Sequence, residues 1–321
     1  MKEFFYTGIL LFTFTTGSVI VIAYQHRTSL RDTAIRLFYR GSQLLFFYYL
    51  YNIVKLAVFN FDTQPLYYQF INIGTLTIPN ILAFRSFTIP ITILITYAFF
   101  IAFSSLFLYL HRMSRRPATT IALIIAGLLV INYATPIPGI QSPVIAFLYA
   151  QGFVLLPIAL WLVPFLIGFF LAQVGFEKQK KRILIVSGIA MCMYAASLYA
   201  QNQSLLPSNY QFPLTPYFIA FGLFAMAILL YVFEWLERVR AVWMKKVLAG
   251  IRLLGDNTLH LYIYHWIVID LTIWFFPQHV MLIWLTVPLF FAAYFLYMKR
   301  NLAEYCFRQE GATQDSLIDA G

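Results

Sequence analysis

Long apolar runs recur along this chain, and they restrict its possible folds more than any other feature of the sequence. A helix that crosses a bilayer needs about 20 apolar residues. We count nine such runs joined by polar connections, and they are Phe4–Tyr24, Ser42–Asn60, Phe87–Leu110, Thr119–Thr135, Val144–Val174, Ile183–Ala200, Thr215–Trp235, Asn257–Phe275 and Met281–Met298. The pattern predicts an all-α fold, a polytopic integral membrane helix bundle of about nine transmembrane helices.

The composition agrees with membrane insertion. Of the 321 residues, 61% are hydrophobic and only 11% are charged, and the mean hydropathy is +0.77. Soluble domains carry about 25% charged residues, so a water-soluble fold of this size cannot bury this much apolar surface. We expect a single transmembrane domain over residues 1–305, followed by a polar, disordered cytoplasmic tail at 306–321.

The basic residues give the predicted orientation. Of the 22 lysines and arginines, 19 lie in every second connection, at 25–41, 111–118, 175–182, 236–256 and 299–321. Such connections stay on the cytoplasmic side, which puts the C-terminus of the multi-pass protein inside. Because the net charge of +10 is spread over these clusters, it predicts contact with the lipid bilayer and no nucleic-acid partner. The longest outer connection, 61–86, can fold over the outer face.

The sequence has no pattern typical of a metal or nucleotide site. The two cysteines, Cys192 and Cys306, belong to no Cys/His group with metal-ligand spacing. A Walker-type glycine loop, a dinucleotide-binding glycine pattern and a G-x-S-x-G elbow are all absent from the sequence. ATP-driven transport and serine hydrolysis therefore gain no support, and no bound cofactor is expected.

The eighth apolar run holds most of the ionisable residues at predicted membrane depth. His260, His265 and Asp270 lie within it, and Asp256 precedes it. Such groups are costly in a bilayer, so each needs a partner or a function. Asp256 and His260 stand four residues apart on one helical face, where the carboxylate can hold the imidazole in one tautomer. Structural alternatives exist: Asp256 can favour the helix N-terminus, His260 can contact headgroups, and Asp270 can be solvated at the outer interface.

His265 is the deepest of these groups, near the middle of its run. Asn257, Leu261 and His265 follow one stripe at a spacing of four, with Tyr262 beside it. Polar groups can therefore line a path from the cytoplasmic mouth to His265. A histidine there can transfer protons, or it can hydrogen-bond a neighbouring helix in a purely structural role.

The first basic connection also allows two interpretations. Arg27, Arg31, Arg36 and Arg40 all fall within Gln25–Gly41. They can orient the chain and lie on anionic lipid. Alternatively, Arg36 and Arg40 can contact the phosphates of a charged donor.

Three stretches of the chain resemble a known family. The first is LLFTFTTGSVIVIAY followed by RLFYRGSQLLFFYYLY, the second is FVLLPIALWLVPFLIGFFLAQV, and the third joins FPLTPYFIAFGLFAMAILLYVFEWLERVR to LLGDNTLHLYIYHW. In order and spacing over residues 8–270 they resemble the membrane acyltransferases related to heparan-α-glucosaminide N-acetyltransferase. The resemblance extends more distantly to bacterial acyltransferases that modify periplasmic glucans and surface polysaccharides.

The resemblance implies a function and roles for the candidate residues. Proteins of this family move an acetyl or other short acyl group from cytoplasmic acyl-coenzyme A to a sugar hydroxyl or amine. Acyl-CoA is therefore the expected co-substrate, and a sugar or glycan is the expected acceptor. His265 would be the base or the orienting residue, with Asp256 and His260 as a supporting pair. The expected substrate contacts are Asn257, Tyr262, Arg36 and Arg40.

The resemblance begins at the second helix of the family. Members of the family begin with one more helix, which carries an Arg-Gly pair and a histidine that is central to acyl transfer. The sequence therefore predicts either a missing upstream helix or a degenerate member. The alternative function is a polytopic transporter of a small molecule or a lipid-linked sugar, whose intramembrane polar groups would form the substrate or proton path.

Overall fold

Most of the chain that the computed structural model describes is helical. The described residues are 2–25, 29–58, 72–73, 77–82, 87–88, 92–134, 158–206, 214–239, 244–245, 247–250, 258–276, 279–294 and 296–297. The helices are α1 (Lys2–Tyr24), α2 (Leu30–Val58), α3 (Ile78–Leu82), α4 (Thr92–Met113), α5 (Pro117–Ala134), α6 (Ile158–Val174), α7 (Phe176–Ala200), α8 (Pro216–Arg238), α9 (Thr258–Phe275) and, after a 3-10 turn at Val280–Leu282, α10 (Ile283–Tyr294). Within these segments the only sheet is a two-residue antiparallel pair of β1 (Asn72–Ile73) and β2 (Phe87–Thr88). The helical fold class is thus confirmed for this part of the chain.

Three of the described helices are long and apolar enough to cross a membrane, by length and composition alone. They are Ile93–Met113 within α4, the whole of α7 and the whole of α8. Five further apolar stretches in the described residues are shorter, and they lie in α1, α5, α6, α9 and α10. These helices suggest a membrane-embedded protein, and the helix bundle with nine crossings stays a prediction.

The helices and the predicted runs do not all begin at the same residues: α2 and α7 begin at Leu30 and Phe176, before the second and sixth runs, and the third run differs in the opposite direction. The third was predicted to begin at Phe87, but Phe87 and Thr88 form β2, and α4 begins at Thr92. Pro90 explains this difference, because proline disfavours the α conformation in the residue before it. In the fifth run α6 begins at Ile158, whereas 144–157 lies outside the described residues.

The contacts divide the chain into two compact units. The first comprises residues 1–60 and 65–231, and the second comprises 61–64 and 232–321. The division falls within α8, between Tyr231 and Val232. The first unit holds α1 to α7, and the second holds α9 and α10.

Glycines set the closest helix crossing of the first unit, between α1 and α6. A Cβ on Gly17 would overlap the carbonyl oxygen of Phe165, and a Cβ on Gly168 would overlap that of Phe14. The two backbones therefore approach as closely as only glycine allows. Small residues at such crossings are typical of helices that pack within a membrane.

A second close pair consists of α2 and α4. At their crossing a Cβ on Gly41 would lie 2.7 Å from the carbonyl oxygen of Ala98. Gly41 belongs to one buried face of α2 that runs along the whole helix, and its residues are Thr33, Leu37, Gly41, Leu44, Tyr48, Asn52 and Lys55. Their spacing of four and three keeps them on one side.

From Phe46 to Val58 the exposed side of α2 is apolar, whereas the first turns of the helix also expose Arg36 and Arg40. Its exposed large side chains include Ile35, Phe38, Phe46, Leu50, Ile53, Val54 and Val58. The helix thus buries a lysine and an asparagine while it exposes phenylalanine and isoleucine, the reverse of a helix on a water-soluble protein. Helix α7 shows a similar reversal of polarity, because the only buried residue of this apolar helix of 25 residues is Ser187.

The connection after α2 returns to that helix. Helix α3 packs against α2, and Ile81 of α3 is completely buried. The β1–β2 pair joins Asn72 to Thr88 and Ile73 to Phe87, so it brings together two distant points of the same connection. The described part of this connection therefore packs against α2 through α3.

Candidate functional site

Helix α9 carries the centre of the predicted site. The structure describes His265 and Tyr262 on this helix. Asp256 and Asn257 lie outside the described residues, and so does the side chain of His260. Their predicted roles as a supporting pair and as a polar contact therefore stay predictions.

The His265 ring is fixed by a hydrogen bond to its own helix. Nδ1 lies 3.0 Å from the backbone carbonyl oxygen of Leu261, one turn earlier. Because a carbonyl oxygen can only accept, Nδ1 must be the donor, and the neutral ring must carry its proton there. The lone pair is then on Nε2, which is the atom that can accept a proton from a second molecule.

Three aromatic rings surround His265. The centroid of its ring lies 5.3 Å from that of Tyr262, 5.1 Å from that of Trp266 and 6.2 Å from that of Phe291 on α10. Tyr262 meets the imidazole edge-on, whereas Trp266 and Phe291 are tilted toward it. The rings pack against the imidazole, and His265 is partly exposed. The predicted association of His265 with Tyr262 is thus present in the structure.

A pair of threonines links α9 to α10 nearer the C-terminal end of α9. The hydroxyl groups of Thr272 and Thr286 are 3.0 Å apart and hydrogen-bonded. The Thr272 hydroxyl also lies 2.7 Å from the carbonyl oxygen of Val268. Asp270 lies on the same stretch of α9 and is only 4% exposed. The alternative that the interface solvates Asp270 is therefore wrong, because protein encloses this carboxylate.

Arg36 and Arg40 belong to the first unit, and both are exposed. Both were expected in a connection that ends at Gly41, but they lie on the first turns of α2, which begins at Leu30. The helix starts early because Ser29 caps it: the Ser29 hydroxyl accepts a hydrogen bond from the backbone N–H of Asp32 at 3.2 Å. The Arg40 guanidinium lies 6.0 Å from the centroid of the Tyr24 ring, at the end of α1.

Arg112 joins the same helix end, although its sequence position gave no sign of this contact. One guanidinium nitrogen donates to the backbone carbonyl oxygens of Tyr24 at 3.2 Å and of Gln25 at 3.3 Å. These carbonyl groups lie where α1 ends, and the last carbonyl groups of a helix need donors from outside it. Arg112 and Arg40 therefore both contact the C-terminal end of α1, and Arg112 caps it.

Sequence reasoning missed Lys55 as a buried charged residue. It lies three residues after Asn52 on the buried face of α2, and it is only 2% exposed. A signal was present, since Lys55 is the only lysine or arginine within the nine apolar runs. It was not singled out because a lysine near the end of a helix usually extends its ammonium group to the interface.

Comparison of the chain with family models, with curated proteins and with solved structures finds no match. The functional argument therefore depends on the residues of the chain itself.

Proposed function

We propose that this protein is a membrane-embedded acyltransferase that moves an acetyl or short acyl group from acyl-CoA to a sugar hydroxyl or amine. The observation that carries the proposal is the His265 ring, which donates through Nδ1 to the Leu261 carbonyl oxygen and so keeps a basic Nε2. The family resemblance of the sequence provides the reaction class. The protein would be multi-pass, with nine crossings and a cytoplasmic C-terminus, in a bacterial inner membrane.

The exposed apolar helix faces support the membrane environment. In water, large exposed apolar patches are rare on a monomer, whereas α2 exposes apolar residues over 46–58 and α7 over 185–199. In a bilayer the same faces contact lipid, whereas glycine and polar residues form the helix contacts. The inverted polarity of α2 has this explanation without a further partner.

The chemistry follows from the tautomer of His265. Nε2 would accept the proton of the acceptor hydroxyl or amine as that group attacks the thioester carbonyl carbon. The new bond joins the acyl group to the acceptor oxygen or nitrogen, and the carbon–sulfur bond breaks. The imidazolium would then return its proton to the departing thiolate. The rings of Tyr262, Trp266 and Phe291 would keep water away from the thioester.

The remaining candidate residues would bind the substrates. Arg36 and Arg40 would contact the phosphates of acyl-CoA, since a guanidinium group matches phosphate geometry. Asn257 and Tyr262 would contact the sugar or glycan acceptor, and Asp256 with His260 would support His265 from the cytoplasmic side. No step of the proposed reaction needs a metal ion or a bound cofactor.

A direct test measures acyl transfer by the purified protein. The protein in lipid nanodiscs would receive radiolabelled acetyl-CoA and a panel of sugars, and both labelled product and released thiol would be counted. We expect transfer by the unaltered protein, and a loss of about 10²–10⁴ in rate for His265→Ala. His279→Ala, at an exposed histidine of the same unit, is the matched control. If no acyl-CoA binds or no thiol is released with any acceptor, the proposal is wrong.

A transporter is the second candidate, and the enclosed Asp270 favours it. A buried carboxylate on an apolar helix is the kind of group that lines a proton or substrate path. Reconstituted vesicles would then accumulate labelled sugar without an acyl donor, and Asp270→Asn would abolish the accumulation. Uptake without acyl transfer would favour this function over the first.

A further inference from the structure

We propose that the indole N–H of Trp266 selects the acceptor of the proposed acyl transfer, and that this acceptor is a hydroxyl group and not an amine. The inference rests on the proposed function and specifies the substrate class of the same site. Trp266 directly follows His265 on α9, and its N–H takes no part in the proton transfer assigned to His265.

The first observation is a buried donor without a hydrogen bond. The Nε1 atom of Trp266 is shielded from solvent and has no hydrogen-bond partner among the described residues. In the described part of the second unit, it is the only buried side-chain nitrogen or oxygen atom for which this is true. A buried donor without an acceptor is unfavourable, and a buried indole N–H usually has one. A bound molecule that brings an acceptor would remove this cost.

One polar neighbour of the indole belongs to the chain itself. The side chains of Tyr262 and Trp266, one helical turn apart, interact, but the indole N–H forms no hydrogen bond with the Tyr262 hydroxyl. Tyr262 is also a predicted contact of the acceptor. The indole N–H therefore lies beside the place where the acceptor is expected to bind.

The second observation is the position of the indole relative to the proposed base. The ring centroids of Trp266 and His265 are 5.1 Å apart, and the two ring planes are inclined by 50°. Because Nδ1 of His265 donates to the Leu261 carbonyl oxygen, the basic atom is Nε2. Both His265 and Trp266 are partly exposed as whole residues, so a molecule at this surface can reach the imidazole, and a rotation of the indole can bring its N–H to the same molecule.

A hydroxyl group satisfies both side chains at once, because it has one O–H donor and two lone pairs. The O–H would donate to Nε2 of His265, one lone pair would accept the N–H of Trp266, and the other would attack the thioester carbonyl carbon. As the new carbon–oxygen bond forms, the proton passes to Nε2 and the carbon–sulfur bond breaks. The thiolate then takes the proton from the imidazolium.

A neutral amine has no second lone pair. Its only lone pair attacks the carbonyl carbon, so it has none left to accept the N–H of Trp266. The indole donor would stay buried and unsatisfied in the transition state of amine transfer, which slows that reaction relative to hydroxyl transfer. Sites that hydrogen-bond a substrate hydroxyl discriminate strongly against compounds that leave the buried polar groups of the site unpaired.

The test compares ester and amide formation by the full chain in lipid nanodiscs. Radiolabelled acetyl-CoA would be supplied with sugars, each paired with its amino analogue, and hydroxylamine would separate the products because it cleaves esters and leaves amides intact. We expect the unaltered protein to form mainly ester. In Trp266→Phe, which keeps an aromatic ring without the N–H, the ratio of ester to amide formation should fall by about tenfold or more.

The matched control is Trp284→Phe, which makes the same change at a tryptophan of α10 that is 63% exposed. It should keep the ester-to-amide ratio of the unaltered protein. A purely structural role of Trp266 would lower both reactions together and leave their ratio unchanged, so the ratio separates acceptor selection from packing.

The outcomes distinguish this inference from the proposed function. Absence of thiol release with every acceptor refutes the proposed function and this inference with it. Acyl transfer by the unaltered protein, with an unchanged ratio in Trp266→Phe or with amide as the main product, refutes the inference alone. If Trp266→Phe does not fold, β-(3-benzothienyl)alanine at position 266 takes its place, since it keeps the shape of tryptophan and has sulfur instead of the N–H. An unchanged ratio with that side chain would equally refute the inference.

Discussion

The Ser18 hydroxyl donates a hydrogen bond of 2.8 Å to the backbone carbonyl oxygen of Gly168, and this bond joins α1 to α6 where the two backbones are closest. The same hydroxyl lies 3.1 Å from the carbonyl oxygen of Phe14 on its own helix. The bond can form because neither Gly17 nor Gly168 has a Cβ between the helices. The crossing thus combines close packing with a polar contact, as membrane helix pairs do.

The first prediction concerns this crossing. Gly168→Ala should lower the free energy of unfolding by about 1–3 kcal/mol, because the new methyl group must separate two backbones. Gly127→Ala on α5 is the control, since a Cβ there meets nothing within 4 Å and alanine favours the helix. Thermal unfolding in detergent would measure both variants. Equal midpoints for the two would refute the close crossing.

The second prediction concerns Arg112 as the cap of α1. Arg112→Ala should destabilise the protein by roughly 1–3 kcal/mol, because the Tyr24 and Gln25 carbonyl groups lose a charged donor. The exposed Arg115 is the matched control, and its alanine variant should change stability little. Hydrogen exchange would report the same effect locally, as faster exchange in the last turn of α1. Unchanged exchange there would contradict the capping role.

The third prediction concerns the contact between α9 and α10. Thr272→Val and Thr286→Val each remove one hydroxyl of the 3.0 Å bond, and the double variant removes both. A double-mutant cycle should give a coupling free energy of about 0.6 kcal/mol, the average for such bonds in membranes. A coupling of zero would mean that the two hydroxyl groups do not interact in the folded protein.

The fourth prediction separates the orienting bond of His265 from its basicity. Asn carries its amide nitrogen where histidine carries Nδ1, so His265→Asn can keep the bond to the Leu261 carbonyl oxygen but has no base. We expect this variant to accumulate and unfold like the unaltered protein and to lose acyl transfer by about 10²–10⁴. Transfer at a normal rate would exclude His265 as the base.

The fifth prediction concerns the sidedness of the helices. In a variant whose native cysteines are replaced by serine, Arg115→Cys and Gln203→Cys should react with an impermeant thiol reagent from opposite sides of intact vesicles. Both positions are exposed, and the basic-residue distribution puts Arg115 inside and Gln203 outside. Reaction of both from the same side would refute the nine-span topology.

The sequence by itself determined the helical fold, because runs of about 20 apolar residues can satisfy their backbone groups only within helices once water is excluded. It also identified His265 and Tyr262 as neighbours, since residues three apart on a helix lie on one face. In both cases the interaction is local along the chain, so residue spacing was sufficient.

Only the tertiary structure decided what depends on residues distant in the chain. It placed Gly168 against Phe14 and Arg112 at the end of α1. It also buried Lys55 and Asp270, which the spacing of residues along the chain cannot predict. Phe291 joins the rings around His265 from a different helix. Apolar periodicity specifies that a helix must bury a face, but the partner of that face depends on which side chains fit together.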